Sequence, residues 1–191
     1  MRKKLLTLFI TLSIFIASNA QLTESFDGAT FPPGGWLNAH TTGANASAIW
    51  QRVGAATLGG DLDANTTFKV DPHSGTGMAY FRSYYFTEGN GARLFSRVTD
   101  LSSVGPHIII FWMFRDNYND AEDSVSVYIN TTQSGTGATF LGKILRKRSL
   151  PPVEPGPNGW YEYSFNIPAG FNTTTNYFIF SAVSRYGKSN K

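Results

Sequence analysis

The residue types best suited to catalysis are few in this chain of 191 residues. It has no Cys and only three His, at His40, His73 and His107, so thiolate nucleophiles, thiolate metal sites and disulfides are excluded. None of the three His lies near a recognisable nucleophile motif such as Gly-x-Ser-x-Gly. A glycosidase needs two carboxylates facing each other across a cleft, and no spacing among the thirteen Asp and Glu residues singles out a pair. The sequence therefore predicts a protein that is not an enzyme.

Aromatic side chains offer a second kind of chemistry, because exposed rings stack on sugars and anchor protein interfaces. The chain has fifteen Phe, nine Tyr and four Trp, and core packing is the expected role of the four Trp residues. Tyr84 and Tyr85 lie between a predicted strand and a Gly-rich turn, and Tyr118 lies in a polar loop. We predict Tyr84, Tyr85 and Tyr118 as ligand-binding residues, with Phe86 and Trp36 as weaker candidates.

Two charged clusters allow more than one interpretation. Asp116–Asp123 contains four acidic residues ahead of an alternating strand, and it could be a calcium-binding loop or a solvated turn. Lys143–Arg148 is the basic run of the mature chain, and it could meet anionic glycans, be a protease site or be a solvated strand end. Residue types alone leave these alternatives open.

The first twenty residues have the pattern of a secretory signal peptide. Three basic residues at positions 2–4 precede an uncharged apolar run, Leu5–Ile16, and small residues at Ser18 and Ala20 precede Gln21. The run is too short to span a bilayer as an ordinary helix; the alternative is an uncleaved anchor. The remaining thirteen Lys and Arg residues equal the thirteen Asp and Glu residues, so no overall field favours nucleic acid. We expect a protein that is secreted or held at the cell surface, with no transmembrane segment after cleavage.

The rest of the chain, residues 21–191, reads as one all-β domain. Short apolar or alternating runs are separated by Gly, Pro, Asn, Ser and Thr, and no window has a sustained helical period. Predicted strands are Leu22–Phe26, Ile49–Val53, Gly77–Phe81, Ala92–Val98, His107–Phe114, Ser124–Asn130, Thr139–Ile144, Trp160–Ile167 and Asn176–Ser184. This number predicts a two-sheet antiparallel β-sandwich of jelly-roll type, preceded by a signal-peptide helix. His107–Phe114 is apolar on both faces, which predicts a central strand with a covered outer face.

Several phrases of the sequence, taken in order, resemble a family of secreted bacterial modules. They are Glu24–Gly28, Phe31–Trp36, Trp50–Arg52, Pro72–Met78, Ala92–Ser102, Phe111–Asp116, Val127–Thr132, Gly159–Phe165 and Ser184–Gly187. Their order and spacing resemble the cleaved-adhesin or choice-of-anchor J domains, the type found in gingipain haemagglutinin regions, with a more distant likeness to MAM domains. The resemblance implies a jelly-roll sandwich that serves adhesion or ligand binding outside the cell.

The same resemblance implies a calcium site and a difference at the C-terminal end. It points to the first predicted strand, with Glu24 and Asp27 as calcium ligands and calcium as the one candidate cofactor. Family members continue beyond the phrase at Ser184–Gly187 into a closing strand with Asp residues, whereas this sequence ends at Lys191. We therefore expect the domain to lack its closing strand, to leave an open edge on the segment Leu22–Phe26, and to bind calcium weakly.

The leading functional hypothesis is a non-catalytic exported module for binding or adhesion. Loops on a rigid sandwich would recognise an extracellular protein or glycan. The alternative is a carbohydrate-binding module associated with a secreted hydrolase. The two differ in whether recognition depends on sugar.

Overall fold

Eleven β-strands make up nearly all the regular structure of the described residues. The computed structural model describes residues 22–54, 57–58, 69–117 and 122–185. The strands are β1 (Leu37–Thr42), β2 (Gln51–Gly54), β3 (Thr57–Leu58), β4 (Lys69–Val70), β5 (Gly77–Tyr80), β6 (Gly91–Phe95), β7 (His107–Arg115), β8 (Ser124–Asn130), β9 (Thr139–Leu145), β10 (Gly159–Ile167) and β11 (Tyr177–Val183). Two short 3₁₀ turns, Ser83–Tyr85 and Ala169–Phe171, complete the elements.

The strands form a two-layer antiparallel sandwich. One layer is a five-stranded sheet in the order β1-β6-β11-β8-β9. The other strands pair as β10 with β7, β2 with β5, and β3 with β4. The pairs β7-β10 and β2-β5 contribute side chains to two core clusters that they share with the large sheet. The predicted all-β fold, an antiparallel sandwich of jelly-roll type, is confirmed.

The core has two parts, one beneath each strand pair of the second layer. Under β7-β10 lie Leu101, Ile109, Val127, Ile129, Ile167 and Phe178; under β2-β5 lie Trp36, Trp50, Ala92, Leu94 and Ala182. Leu22 and Phe180 pack against both parts. Val127 and Ile129 are fully buried, as the alternation in β8 predicted. The expected core positions of Trp36 and Trp50 are also confirmed.

The first predicted strand is wrong, because the segment Leu22–Phe26 belongs to no strand. Its alternating pattern still predicts which side chains face inward, since Leu22 and Phe26 both pack on the core. Phe26 takes a φ of 60°, which lies in the left-handed region and is incompatible with a continuing strand. The first strand is instead β1, a largely polar stretch that the sequence did not reveal.

The second strand neighbour expected for a central strand at His107–Phe114 is not found among the described residues. Within the described part of the chain, β7 pairs only with β10. On its outer face Ile108, Ile110 and Trp112 are 53%, 51% and 41% exposed, although the His73 ring stacks on Trp112. Trp112 is therefore a surface residue, contrary to the expected core position.

The predicted signal peptide, residues 1–20, lies outside the described residues, as does Tyr118. Among the described residues, no helix has the length and apolar character needed to cross a bilayer.

Candidate functional site

Two of the predicted ligand-binding residues lie together on a short turn. The 3₁₀ turn Ser83–Tyr85 follows β5 and carries Tyr84 and Tyr85 next to each other. Their ring centroids are 6.1 Å apart in an edge-on arrangement, and the Arg82 guanidinium carbon lies 4.1 Å from the Tyr85 ring centre. Tyr85 is 42% exposed. We call residues Arg82–Tyr85 the tyrosine turn.

The tyrosine turn is tied to distant parts of the chain by side-chain hydrogen bonds. Ser83 Oγ donates to Asp123 Oδ2 at 2.8 Å. Ser184 Oγ donates to the carbonyls of Ser83 and Phe86 at 2.8 and 3.0 Å. These bonds fix the backbone on both sides of the tyrosines, so the exposed ring of Tyr85 stands on an ordered support. Phe86 and Trp36, the weaker candidates, are both buried.

A cluster of charged residues lies beneath this turn. Asp123 is 4% exposed and accepts hydrogen bonds from Arg146 Nε at 3.1 Å and from the backbone N–H of Arg185 at 2.6 Å. The other guanidinium end of Arg146 is ion-paired with Asp116. The described ends of the acidic segment 116–123 are therefore paired with arginine. Asp123 also joins this segment, whose sequence includes Tyr118, to the tyrosine turn.

The basic run Lys143–Arg148 is largely used within the molecule. Arg146 bridges Asp116 and Asp123. Arg148 donates to Asn158 Oδ1 at 3.1 Å and to the carbonyl of Glu154 at 3.3 Å. The two arginines of the run thus stabilise the fold through contacts within the molecule.

Sequence reasoning missed Arg115, which has the largest fully buried side chain among the described residues. Its guanidinium donates to the carbonyls of Pro152, Lys147 and Leu150 and to Tyr163 Oη. Burial raises the pKa of Tyr163 above its usual value near 10, although the hydrogen bond from Arg115 opposes that shift. The Arg115 guanidinium thus holds the Pro-rich loop between β9 and β10, residues 146–158, against β7 and β10. Its only sequence signal is a lone Arg at the end of an apolar strand.

The predicted calcium ligands lie on the segment that precedes β1. Asp27 Oδ1 accepts hydrogen bonds from the backbone N–H groups of Thr76 and Gly77, and Oδ2 accepts one from Ser25 Oγ. Glu24 Oε1 accepts the N–H of Phe26 at 2.7 Å. Both carboxylates therefore have donors from the protein itself, and in the described residues no three His, Asp or Glu side chains come together as a metal site.

The hydrogen bonds to Asp27 lower the pKa of its carboxyl, first of all the one from the Thr76 backbone. A carboxyl with a lowered folded pKa stabilises the fold at pH above its unfolded value, near 3.8. That contribution is lost as the pH falls through the folded value. Arg52 adds a second tie by donating to the carbonyls of Phe26 and Asp27 at 2.7 and 3.1 Å. The carboxylate thus anchors the segment to the loop before β5.

The histidines do not form a common centre. His73 stacks on Trp112, with ring centroids 3.9 Å apart and an angle of 15° between planes. His107 Nε2 lies 3.1 Å from the carbonyl of Ser103. His40 lies on β1, in the other layer. Each histidine therefore has separate surroundings.

Comparison with solved structures identifies proteins of similar fold. No protein-family model and no curated protein matches the chain. The K1 cleaved adhesin domain of Lys-gingipain from Porphyromonas gingivalis W83 superposes with a TM-score of 0.58 and 19% identity, covering 86% of this chain and 88% of that chain. The K2 cleaved adhesin domain of Lys-gingipain gives a TM-score of 0.56 and 15% identity, covering 85% and 88%. The chain therefore has the β-sandwich fold seen in cleaved adhesin domains.

Proposed function

We propose that this protein is a non-catalytic, exported binding module of the adhesin type, with the tyrosine turn as its ligand-contacting surface. Its ligand would be an extracellular protein or glycan, and residues 1–20 would direct export. The likeness in fold to the adhesin domains supports this function. The observation that carries the assignment of the surface is the exposed Tyr85 ring, supported by Arg82 and Tyr84.

Tyrosine suits this role for a physical reason. Its ring buries a large area on binding, and only two side-chain torsions must be ordered. Here Arg82 and Tyr84 contact the ring before any ligand arrives, which lowers the entropy cost of binding. Tyr and Arg are also the residue types that dominate interface energies.

A carbohydrate ligand is the second candidate. Arg82 lies over the Tyr85 ring while 42% of that residue stays accessible. A ring whose one face is supported in this way can stack its other face on the apolar face of a sugar. This alternative would make the protein a carbohydrate-binding module.

Replacing Tyr85 by Ala should weaken binding at least tenfold, because loss of a central aromatic anchor typically costs at least 2 kcal/mol. Binding of the secreted chain would be measured on a glycan array and on a panel of immobilised extracellular matrix proteins. Phe140→Ala is the matched control, since Phe140 is an exposed ring on β9. Loss of glycan signals in Tyr85→Ala would favour the carbohydrate ligand; loss of protein signals without sugar dependence would favour adhesion. Unchanged binding in Tyr85→Ala would reject the proposed surface.

We also propose that calcium, if it binds, binds weakly at Glu24 and Asp27. Calcium would compete with the backbone N–H groups that already donate hydrogen bonds to Asp27. We therefore expect dissociation constants of about 0.1–1 mM, as in extracellular modules. Calorimetry of the wild type and of the Glu24→Ala/Asp27→Ala double variant would test this. Tight binding that survives the double substitution would show that the ligands lie elsewhere.

A further inference from the structure

We propose that the outer face of the five-stranded sheet carries an oxyanion site, centred on Arg93, which binds the sulfate groups of an acidic saccharide. The site uses residues other than those of the tyrosine turn. It rests on the proposed function only in taking the ligand to be extracellular. Arg93 supplies the guanidinium, and Ser126 and Lys143 lie along the same row of the sheet.

One cross-strand row of the large sheet contains every Lys, Arg, Asp and Glu residue of its five strands. Within their stated bounds these strands have two such residues, Arg93 on β6 and Lys143 on β9, and both are basic. The register pairs Arg93 with Ser181, and it pairs Ser126 with Lys143. Ser181 and Ser126 also pair with each other, which joins the four residues into one row.

This row lies on the face of the sheet that points away from the core. The next residues along the strands, Ala92, Ala182 and Val127, belong to the core clusters, and successive side chains of a strand point to opposite faces. Neighbouring strands are about 4.7–4.9 Å apart, so the Cα atoms of Arg93 and Lys143 are separated by about 14 Å. The small serine side chains between them leave space into which both long side chains can reach.

The Arg93 guanidinium has no counter-charge among the described residues. Its Nε is buried and makes no hydrogen bond, and no described carboxylate forms an ion pair with it. A buried donor of a charged group is costly to leave unsatisfied. The side chain as a whole is partly exposed, so an anion from solvent can reach it. The planar set of guanidinium N–H groups matches the oxygens of such an anion.

The hairpin loop between β8 and β9, residues 131–138, holds the guanidinium in place. Its backbone at Gly135 lies so close to Arg93 that a Cβ there would collide with Nη1. Asn130 Nδ2 donates to two carbonyls of this loop at 2.7 and 2.9 Å. Gln133 Nε2 donates to two carbonyls outside it at 2.8 and 3.1 Å. A guanidinium fixed by an ordered loop loses less entropy when an anion binds.

A sulfated saccharide is the class of ligand that best fits this face. The loop 131–138 contains no charged residue, and its exposed side chains include three Thr hydroxyls that can bond sugar hydroxyls. A sulfate ester has three terminal oxygens for the donors of Arg93, Ser126 and Lys143, whereas a carboxylate has two. The row also has no large apolar side chain against which an acidic peptide could bury its own.

Calorimetric titration with a chondroitin sulfate tetrasaccharide tests the site. The wild type should bind this probe about tenfold more tightly than the desulfated tetrasaccharide, which keeps its carboxylates. Arg93→Gln should weaken binding of the sulfated probe by about tenfold or more, because hydrogen bonds to charged groups are the strong ones, and Lys143→Gln should weaken it less. Arg97→Gln is the matched control, because it removes the same charge at an exposed arginine; it should change binding by less than about twofold.

Arg93→Met separates binding from a structural role. Met keeps much of the apolar stem and removes a charge that has no partner in the described chain, so the melting temperature should not fall below that of the wild type. The sulfated probe should raise the melting temperature of the wild type and leave that of Arg93→Met unchanged. A lower melting temperature of Arg93→Met without probe would overturn the proposal, because the guanidinium would then serve to hold the loop.

Three binding results would also overturn it. The first is full binding of the sulfated probe by a folded Arg93→Gln variant. The second is an equal loss in Arg93→Gln and Arg97→Gln, which would indicate attraction by net charge alone. The third is equally tight binding of a tetraglutamate peptide, which would make acidic peptides the ligand class.

Discussion

Replacing Arg115 by Met is expected to lower the free energy of unfolding by about 3–5 kcal/mol. Met fills much of the same volume but provides no donors. The carbonyls of Lys147, Leu150 and Pro152 would then lose their buried partner, and each unsatisfied group costs on the order of 1–3 kcal/mol. For a domain of this size the melting temperature should fall by roughly 6–20 °C. Urea unfolding followed by tryptophan fluorescence measures the change.

Two further variants separate the role of the guanidinium from the role of its charge. Arg115→Lys keeps the charge but cannot reproduce the planar set of donors, so it should lose a large part of the same stability. Arg97→Ala removes an exposed arginine and should change stability by no more than about 0.5 kcal/mol. If Arg115→Lys were as stable as the wild type, charge alone would account for the effect, and the proposed capture of three carbonyls would be wrong.

The fold could be predicted because buried apolar residues recur at every second position along strands such as β8. In β8, Val127 and Ile129 alternate with polar residues and are fully buried. This local alternation is enough to predict the strand. The same rule was misleading at Leu22 and Phe26. These residues are partly buried against the core and belong to no strand. Alternation reports which side chains face inward and not whether backbone ladders form.

The candidate site was predictable only in its exposed parts. Tyr84 and Tyr85 could be named because they precede a Gly-rich turn, where at least one ring should reach solvent. The supports under them could not be named, since Ser83 and Asp123 are forty positions apart in the sequence. Arg115 was missed for a related reason: its main partners are backbone carbonyls, which every residue has and no motif marks.

The strand β7 shows where composition and topology disagree. Its residues are apolar on both faces, as in a strand with neighbours on each side, yet in the described structure it has one neighbour. The local sequence therefore predicted the strand correctly, but its expected second strand neighbour is not among the described residues.

Replacing Asp123 by Ala should both destabilise the fold and weaken ligand binding. The carboxylate receives hydrogen bonds from Ser83, Arg146 and the backbone of Arg185. Its removal takes one carboxylate away from the partly buried Arg146 guanidinium, which also pairs with Asp116, so we expect a loss of about 3–5 kcal/mol in the free energy of unfolding. Glu88→Ala is the matched control, because the exposed pair of Glu88 with Arg185 should contribute no more than about 1 kcal/mol.

Ser83→Ala separates the effect on binding from the effect on stability. It removes only the hydrogen bond between the tyrosine turn and Asp123, at a cost of about 0.5–1.5 kcal/mol for a neutral donor, or up to about 3 kcal/mol with a charged acceptor. The chain should remain folded, so weaker binding to the ligand found for the wild type would come from a looser turn. Tyr85 contacts the ligand directly in our proposal, whereas Asp123 acts by positioning it. The Asp123→Ala and Ser83→Ala variants should therefore lose binding in the same direction, and Asp123→Ala should lose more. Full binding by a folded Asp123→Ala variant would show that the tyrosine turn holds its shape without the charged cluster beneath it.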